Sequence, residues 1–194
     1  IGIVSAQGVL ALGNPNGYSL FIIISIFVSI SFAPILLSVS PTPAFERTKP
    51  MSLAQLFRSS PLGCVGMFLL GGVFSAQFGM SAVFGSQIGL SLSKISLFVA
   101  AFYIGAMIFQ YPIGWMSDRM DRRLLILLIS ASSAGGSVFA YFAGDYFFAL
   151  VFAAFLVGGL SNPLYSLIIA HANDFIEYED MASAAAGLLF VNGI

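Results

Sequence analysis

Apolar residues run along this chain in blocks of about twenty, the length a helix needs to cross a bilayer, separated by short polar breaks. Charge-free stretches extend from about Tyr18 to Val39, Leu62 to Phe84, Ile95 to Met116, Leu124 to Ala143 and Tyr146 to Ala170. A hydrocarbon core about 30 Å thick takes roughly 20 residues of helix at about 1.5 Å rise each. The pattern therefore predicts five complete membrane-spanning helices. Two partial ones are expected at Ile1 to Leu12 and Met181 to Ile194. Strict alternation of apolar and polar positions, the mark of a lipid-facing β-barrel, is absent, so the expected class is all-α. The sequence starts at Ile1 and stops within the apolar run "AAAGLLFVNGI". A piece of a longer protein, cut inside a helix at both ends, is expected.

The breaks have turn chemistry. "GNPNG" (Gly13 to Gly17), "GLSLSK" before and at Lys94 and "AGDY" around Asp145 are rich in residues that tolerate positive φ or preset a turn. One connection differs in kind. "SVSPTPAFERTKPMSLAQLFRSSP" carries Pro41, Pro43 and Pro50, then Glu46, Arg47, Lys49 and Arg58. Within it Ser52 can cap a short helix that puts Leu53, Leu56 and Phe57 on one face, as a piece lying along a membrane surface would. The expected organisation is thus the end of one bundle over 1–39, a linker over 40–60 and a second bundle over 61–194.

Composition narrows the function classes. The chain is 59% apolar and 8% charged, against about 25% charged in soluble domains. A net charge of −1 offers no basic surface for nucleic acid. Cys64 is the one cysteine and sits in an apolar run, so neither a disulfide framework nor a thiolate metal site is available. No metal set, catalytic triad or phosphate-cradling loop stands out, so no cofactor is expected, and no span end gathers the His, Asp or Glu that an integral-membrane enzyme would use.

Lys and Arg set the orientation. Arg47, Lys49 and Arg58 fall in the second connection and Arg119, Arg122 and Arg123 in the fourth, while Lys94 lies in the third. The linker 40–60 and the loops 117–123 and 171–180 are therefore expected on the cytoplasmic side.

The fourth connection holds five charges between Asp118 and Arg123. Buried at mid-bilayer they would cost on the order of 12 to 17 kcal/mol, so they belong at the membrane surface. A solvated hairpin obeying the positive-inside rule is one reading. The order of residues carries more: Gly114, Asp118, Arg119, Arg122 and Arg123 spell G-x-x-x-D-R-x-D-R-R. This resembles the G-x-x-x-D-[RK]-x-G-[RK]-[RK] motif of the major facilitator superfamily, with Asp121 where that pattern usually has glycine. In that superfamily the motif lies between helices 2 and 3 and again between helices 8 and 9.

The long linker followed by two spans and the motif resembles the second copy. The resemblance then implies an expected twelve helices, of which this chain holds the end of helix 5, helix 6, helices 7 to 10 and the start of helix 11. It implies a transporter of a small solute working by alternating access in a lipid bilayer, most similar to a bacterial inner-membrane subgroup. Its N-terminal half would be supplied by a missing part of the same chain. Gly114 would let two helices approach, and Asp118 would accept bonds from Arg122 and sit against a helix N-terminus, as part of a gating cluster. The alternative is the permease subunit of an ATP-driven transporter, for which "SLAQLFRSS" could serve as a coupling helix.

In the family, helices 7 and 10 line the central cavity. Both are irregular here: Gly71, Gly72 and Gly79 flank Gln77, and Pro163 follows Asn162. Gln77, Asn162 and Tyr165 are the candidate cargo contacts, against the reading that small residues pack helices and the amides bond a neighbour. Tyr103 and Gln110 fit interhelical contacts, Trp115 and Tyr111 an aromatic belt, and His171 a surface or interfacial position. None of the five complete spans holds an Asp, Glu, Lys or Arg. A coupling proton would then use residues of the absent half, or transport is not proton-coupled. Asp174, Glu177, Glu179 and Asp180 fit the start of helix 11, with Asp180 as its cap.

Overall fold

The computed structural model of the chain describes residues 17–37, 51–144 and 146–194. The expected partial span Ile1 to Leu12, most of the Gly13 to Gly17 turn, Arg47 and Lys49 with the prolines around them, and Asp145 lie outside the described residues.

Every element among the described residues is helical. In chain order these are α1 (Ser19–Ser31), α2 (Ala33–Leu37), α3 (Leu53–Ser59), α4 (Pro61–Phe74), a π-helical turn (Ser75–Met80), α5 (Ser81–Gln87), α6 (Leu92–Ser117), α7 (Arg122–Ala143), α8 (Phe147–Asn173), a 3-10 turn (Tyr178–Asp180) and α9 (Met181–Asn192). Four rods have the length and apolar character to cross a membrane: Pro61–Gln87, which joins α4, the π turn and α5, then α6, α7 and α8. The first expected span is interrupted. Its helix breaks at Phe32, two residues before Pro34, whose missing N–H cannot close the ladder.

Local chemistry sets the helix ends. Ser52 and Gln55 form a reciprocal capping box at the start of α3: the Ser52 Oγ accepts from the Gln55 N–H and the Gln55 Oε1 from the Ser52 N–H. The Ser60 Oγ accepts from the Gly63 N–H while Pro61 fills the first position of α4. Gly89 (φ 76) and Gly144 (φ 56) end α5 and α7 in backbone conformations that disfavour a side chain.

The rods converge on α8. It runs in the same direction as α6, with Phe102 beside Gly158 and Gln110 beside Ser166. Their backbones come so close that a Cβ on Gly105 would overlap the Phe155 carbonyl, and one on Gly158 would overlap Phe102. Pro163 lies inside α8 and is buried, and the helix continues through it. α7 crosses α8 where Gly136 meets Val157, and α4 crosses it where Gly66 meets Ile168. α9 lies along α4: the Asn192 Nδ2 donates to the Met67 carbonyl at 2.9 Å.

α3 belongs to this packing. Leu56 is buried and a Cβ on Gly187 of α9 would stand 2.8 Å from its Cδ2, while Leu53 and Phe57 stay exposed. Elsewhere the outer faces carry large apolar side chains such as Leu69, Leu127 and Phe148, a surface suited to hydrocarbon rather than water.

Candidate functional site

Two features concentrate polar chemistry: the charged hairpin between α6 and α7, and the π turn with its surroundings.

At the hairpin, α6 ends with Asp118 in the C-cap position, and the Arg119 and Met120 N–H groups both donate to the Met116 carbonyl. Asp121 is the N-cap of α7, its carboxylate accepting from the Arg123 N–H at 2.7 Å. Its φ is −58, so the turn here uses no positive φ. Asp stands at the glycine position of the motif without strain and adds a cap that glycine lacks.

The arginines part company. Arg119 folds back on its own helix, its guanidinium 4.1 Å from the Trp115 ring centre and donating to the Trp115 carbonyl. Arg123 lies 5.3 Å over the Phe175 ring. Arg122 reaches across the bundle. Its Nη1 pairs with Asp174 and donates to the Ala170 carbonyl at 3.4 Å, while its Nε donates to the Ser117 Oγ at 3.3 Å. In the first turn of α7 a cation faces the positive end of the helix dipole. At the C-terminus of α8 it meets both the negative end and a carboxylate, which outweigh that cost.

The expected Asp118–Arg122 bond is not formed, because the guanidinium is committed to α8. Arg122–Asp174 is the one ion pair among the described residues, and Asp118 is exposed. Asp174 thus caps the end of α8 instead of starting the next helix. Asp180 occupies the N-cap position of α9 but makes no side-chain cap bond. Nor does Gly114 meet a neighbouring helix: a Cβ there would find nothing within 4 Å. Gly114 and Asp118 instead line a groove of about 240 Å³ between α6 and α8, with Gln110, Ser117, Pro163 and Ser166. His171 is buried, not superficial, with its ring edge on Phe175 at 5.1 Å, because the end of α8 is covered by Phe175 and the hairpin.

At the π turn the candidate polar residues separate. Gln77 is 5% exposed and its Nε2 donates to the Ser161 Oγ at 2.7 Å. Its Oε1 has no partner among the described residues. Gln77 also borders an apolar cavity of about 500 Å³ between the first, second, third and fourth rods, with Ser81, Phe84, Phe98, Phe102 and Ser137. Asn162 and Tyr165 are not in its wall. The Asn162 Nδ2 donates to the Gly158 carbonyl of its own helix at 2.9 Å, and Tyr165 packs on Phe74 with ring centres 6.4 Å apart. Tyr103 stacks on Phe78 and Gln110 donates to the Ser166 Oγ, the interhelical contacts expected of both. Ser161 was not singled out in the sequence; its position one residue before Asn162 was the available signal.

Four apolar rods of membrane-crossing length, packed through glycine contacts and closed by charges at a helix end, define an integral membrane helix bundle. The family model described as Major Facilitator Superfamily matches residues 63–194, and the chain belongs to that superfamily. It is similar to the uncharacterized MFS-type transporter YfkF of Bacillus subtilis, 26% identical over 140 residues that cover 70% of this chain and 35% of the relative. The uncharacterized MFS-type transporter YcaD of Escherichia coli is 26% identical over 148 residues, 74% of this chain and 36% of the relative. An uncharacterized MFS-type transporter of Yersinia pestis is 23% identical over 191 residues, 97% of this chain and 49% of the relative. The chain spans about a third to a half of the length of the curated relatives it matches. No solved structure matches it. At the level of family, membership speaks for a transporter over an enzyme or the permease subunit of an ATP-driven system.

Proposed function

We propose that the full-length protein moves a small solute across a bacterial inner membrane by alternating access. In this reading residues 61–194 form the start of the second bundle, helices 7 to 10 and part of helix 11. Residues 1–39 end the first bundle, and 40–60 link the two, with the linker, the hairpin and the 171–180 loop in the cytoplasm.

The observation that carries the reading is the division of labour at the hairpin. Arg122 is held inside the bundle by Asp174 and Ala170, which braces α7 against α8. Gly114 and Asp118 are left facing an open groove. A small residue and a free carboxylate at a helix end suit the approach of another helix and its positive N-terminus. We assign that groove to the first bundle, as the contact that closes the cytoplasmic side and parts when the bundles rock. Arg119 and Arg123 keep the hairpin shaped through Trp115 and Phe175.

The test is solute flux by the full-length protein in vesicles, with and without an imposed proton gradient. Saturable flux that needs the protein supports transport, and its response to the gradient reports coupling. A protein that moves no member of a broad solute panel in either direction would count against the proposal.

A further inference from the structure

The cavity between the four rods is apolar over most of its wall and offers acceptor oxygens at its polar points. Phe84, Phe98 and Phe102 supply apolar wall from α5 and α6. Ser81 and Ser137 border it too, and each has its hydroxyl proton committed, Ser81 to the Gln77 carbonyl and Ser137 to the Ser133 carbonyl at 3.2 Å. Their oxygens are left to accept. The remaining oxygen is the Gln77 Oε1. It is buried without a hydrogen-bond partner among the described residues, while the amide nitrogen of the same side chain donates to Ser161. A buried acceptor that meets no donor has lost its hydration without replacement. Gln77 sits within the π turn, and single π turns inside α-helices recur at functional sites.

We infer that this cavity is a binding site for a compact, mostly apolar molecule bearing a hydroxyl or N–H group, whose proton goes to the Gln77 Oε1. Its volume of about 500 Å³ falls within the range of small-molecule sites, about 300–1,000 Å³, and an apolar wall with few polar groups is their usual make-up. The need for a donor follows from the bonding of the wall itself. A ligand ether or ester would bring one more acceptor to oxygens with no proton to offer. A hydroxyl or N–H satisfies the oxygen left unpaired. The last torsion of a glutamine side chain is broad, so the carboxamide can turn to meet a ligand seated beside it. The site is separate from the groove of Gly114 and Asp118, for no residue lines both. It goes beyond the transport reading, since a molecule held here need not be one that is carried.

The test uses purified full-length protein, with 2-naphthol as probe and 2-methoxynaphthalene as control, the same rings with an oxygen that cannot donate. Saturable binding raises the melting temperature, read for each variant against its own melt without probe. 2-Naphthol is expected to bind about tenfold more tightly than the methyl ether. Gln77→Met, close in size but without the amide, should abolish that preference and leave the affinity for the ether unchanged. Ala140→Leu, which adds volume from the α7 side of the cavity, should weaken both probes alike, and it keeps the inference testable if Gln77→Met does not fold. Absence of saturable 2-naphthol binding, as when other parts of the full-length chain fill the cavity, would overturn the inference. So would equal affinity for naphthol and ether, a preference that survives Gln77→Met, or unchanged binding in Ala140→Leu. Solute flux by a protein that binds neither probe would overturn this site and leave the transport reading standing. Binding with the expected donor preference in a protein without flux would uphold the site and count against transport alone.

Discussion

Arg122 at the start of α7 and Asp174 at the end of α8 are joined by an ion pair that spans 52 positions of sequence and leaves Asp118, four residues from Arg122, without an ion-pair partner among the described residues. The side chains are partly exposed, so the pair contributes at most about 1 kcal/mol. Arg122→Ala and Asp174→Asn should each lower the stability of the detergent-solubilised protein by that order and couple in a double-mutant cycle. Asp118→Asn should leave the stability of the second bundle unchanged. Additive effects of the two partners in thermal melts would show that the pair is not made.

Asp121 caps α7 where the family motif usually has glycine. Asp121→Ala should cost about 1 kcal/mol, and Asp121→Gly a few tenths. Hydrogen exchange at the Arg123 amide, which the carboxylate accepts, should quicken in the alanine variant before any other amide of α7.

The α6–α8 crossing tolerates no side chain at Gly105. Gly105→Ala forces a Cβ into the Phe155 carbonyl and should cost about 1–3 kcal/mol or more. Gly135→Ala meets open space on α7 and should gain about 0.5–1 kcal/mol from helix propensity. Yield of monodisperse protein and its melting temperature separate the two.

Leu56 ties the short helix α3 to α9 through Gly187. Leu56→Ala should destabilise by about 2–5 kcal/mol, whereas Phe57→Ala, on the exposed side, should change little in the same melt. Equal losses would mean that α3 is not packed as part of the second bundle.

Much of this was written locally in the sequence. Ser52 and Gln55 three residues apart announce a capped helix, and the glycines around Gln77 mark the stretch that becomes a π turn. Turn glycines at 89 and 144 end two rods, since backbone at positive φ is a one-residue property. What escaped the sequence depends on distant neighbours. Arg122 had an acid close by in Asp118, and the choice of Asp174 is made by how α7 lies on α8. Burial of His171 has the same origin. The break before Pro34 was visible in principle: length and hydropathy suggested one rod, and the missing N–H of a single residue divided it.

Closure of the Gly114–Asp118 groove against the first bundle is read out by thiol labelling from the cytoplasmic side. A cysteine replaces Ser166, which lines that groove, in full-length protein whose native cysteines, Cys64 among them, are changed to alanine. Labelling is expected to be slow and to rise several-fold when Asp118→Asn is added, as the closed state loses population. Equal labelling rates with and without Asp118→Asn would contradict it.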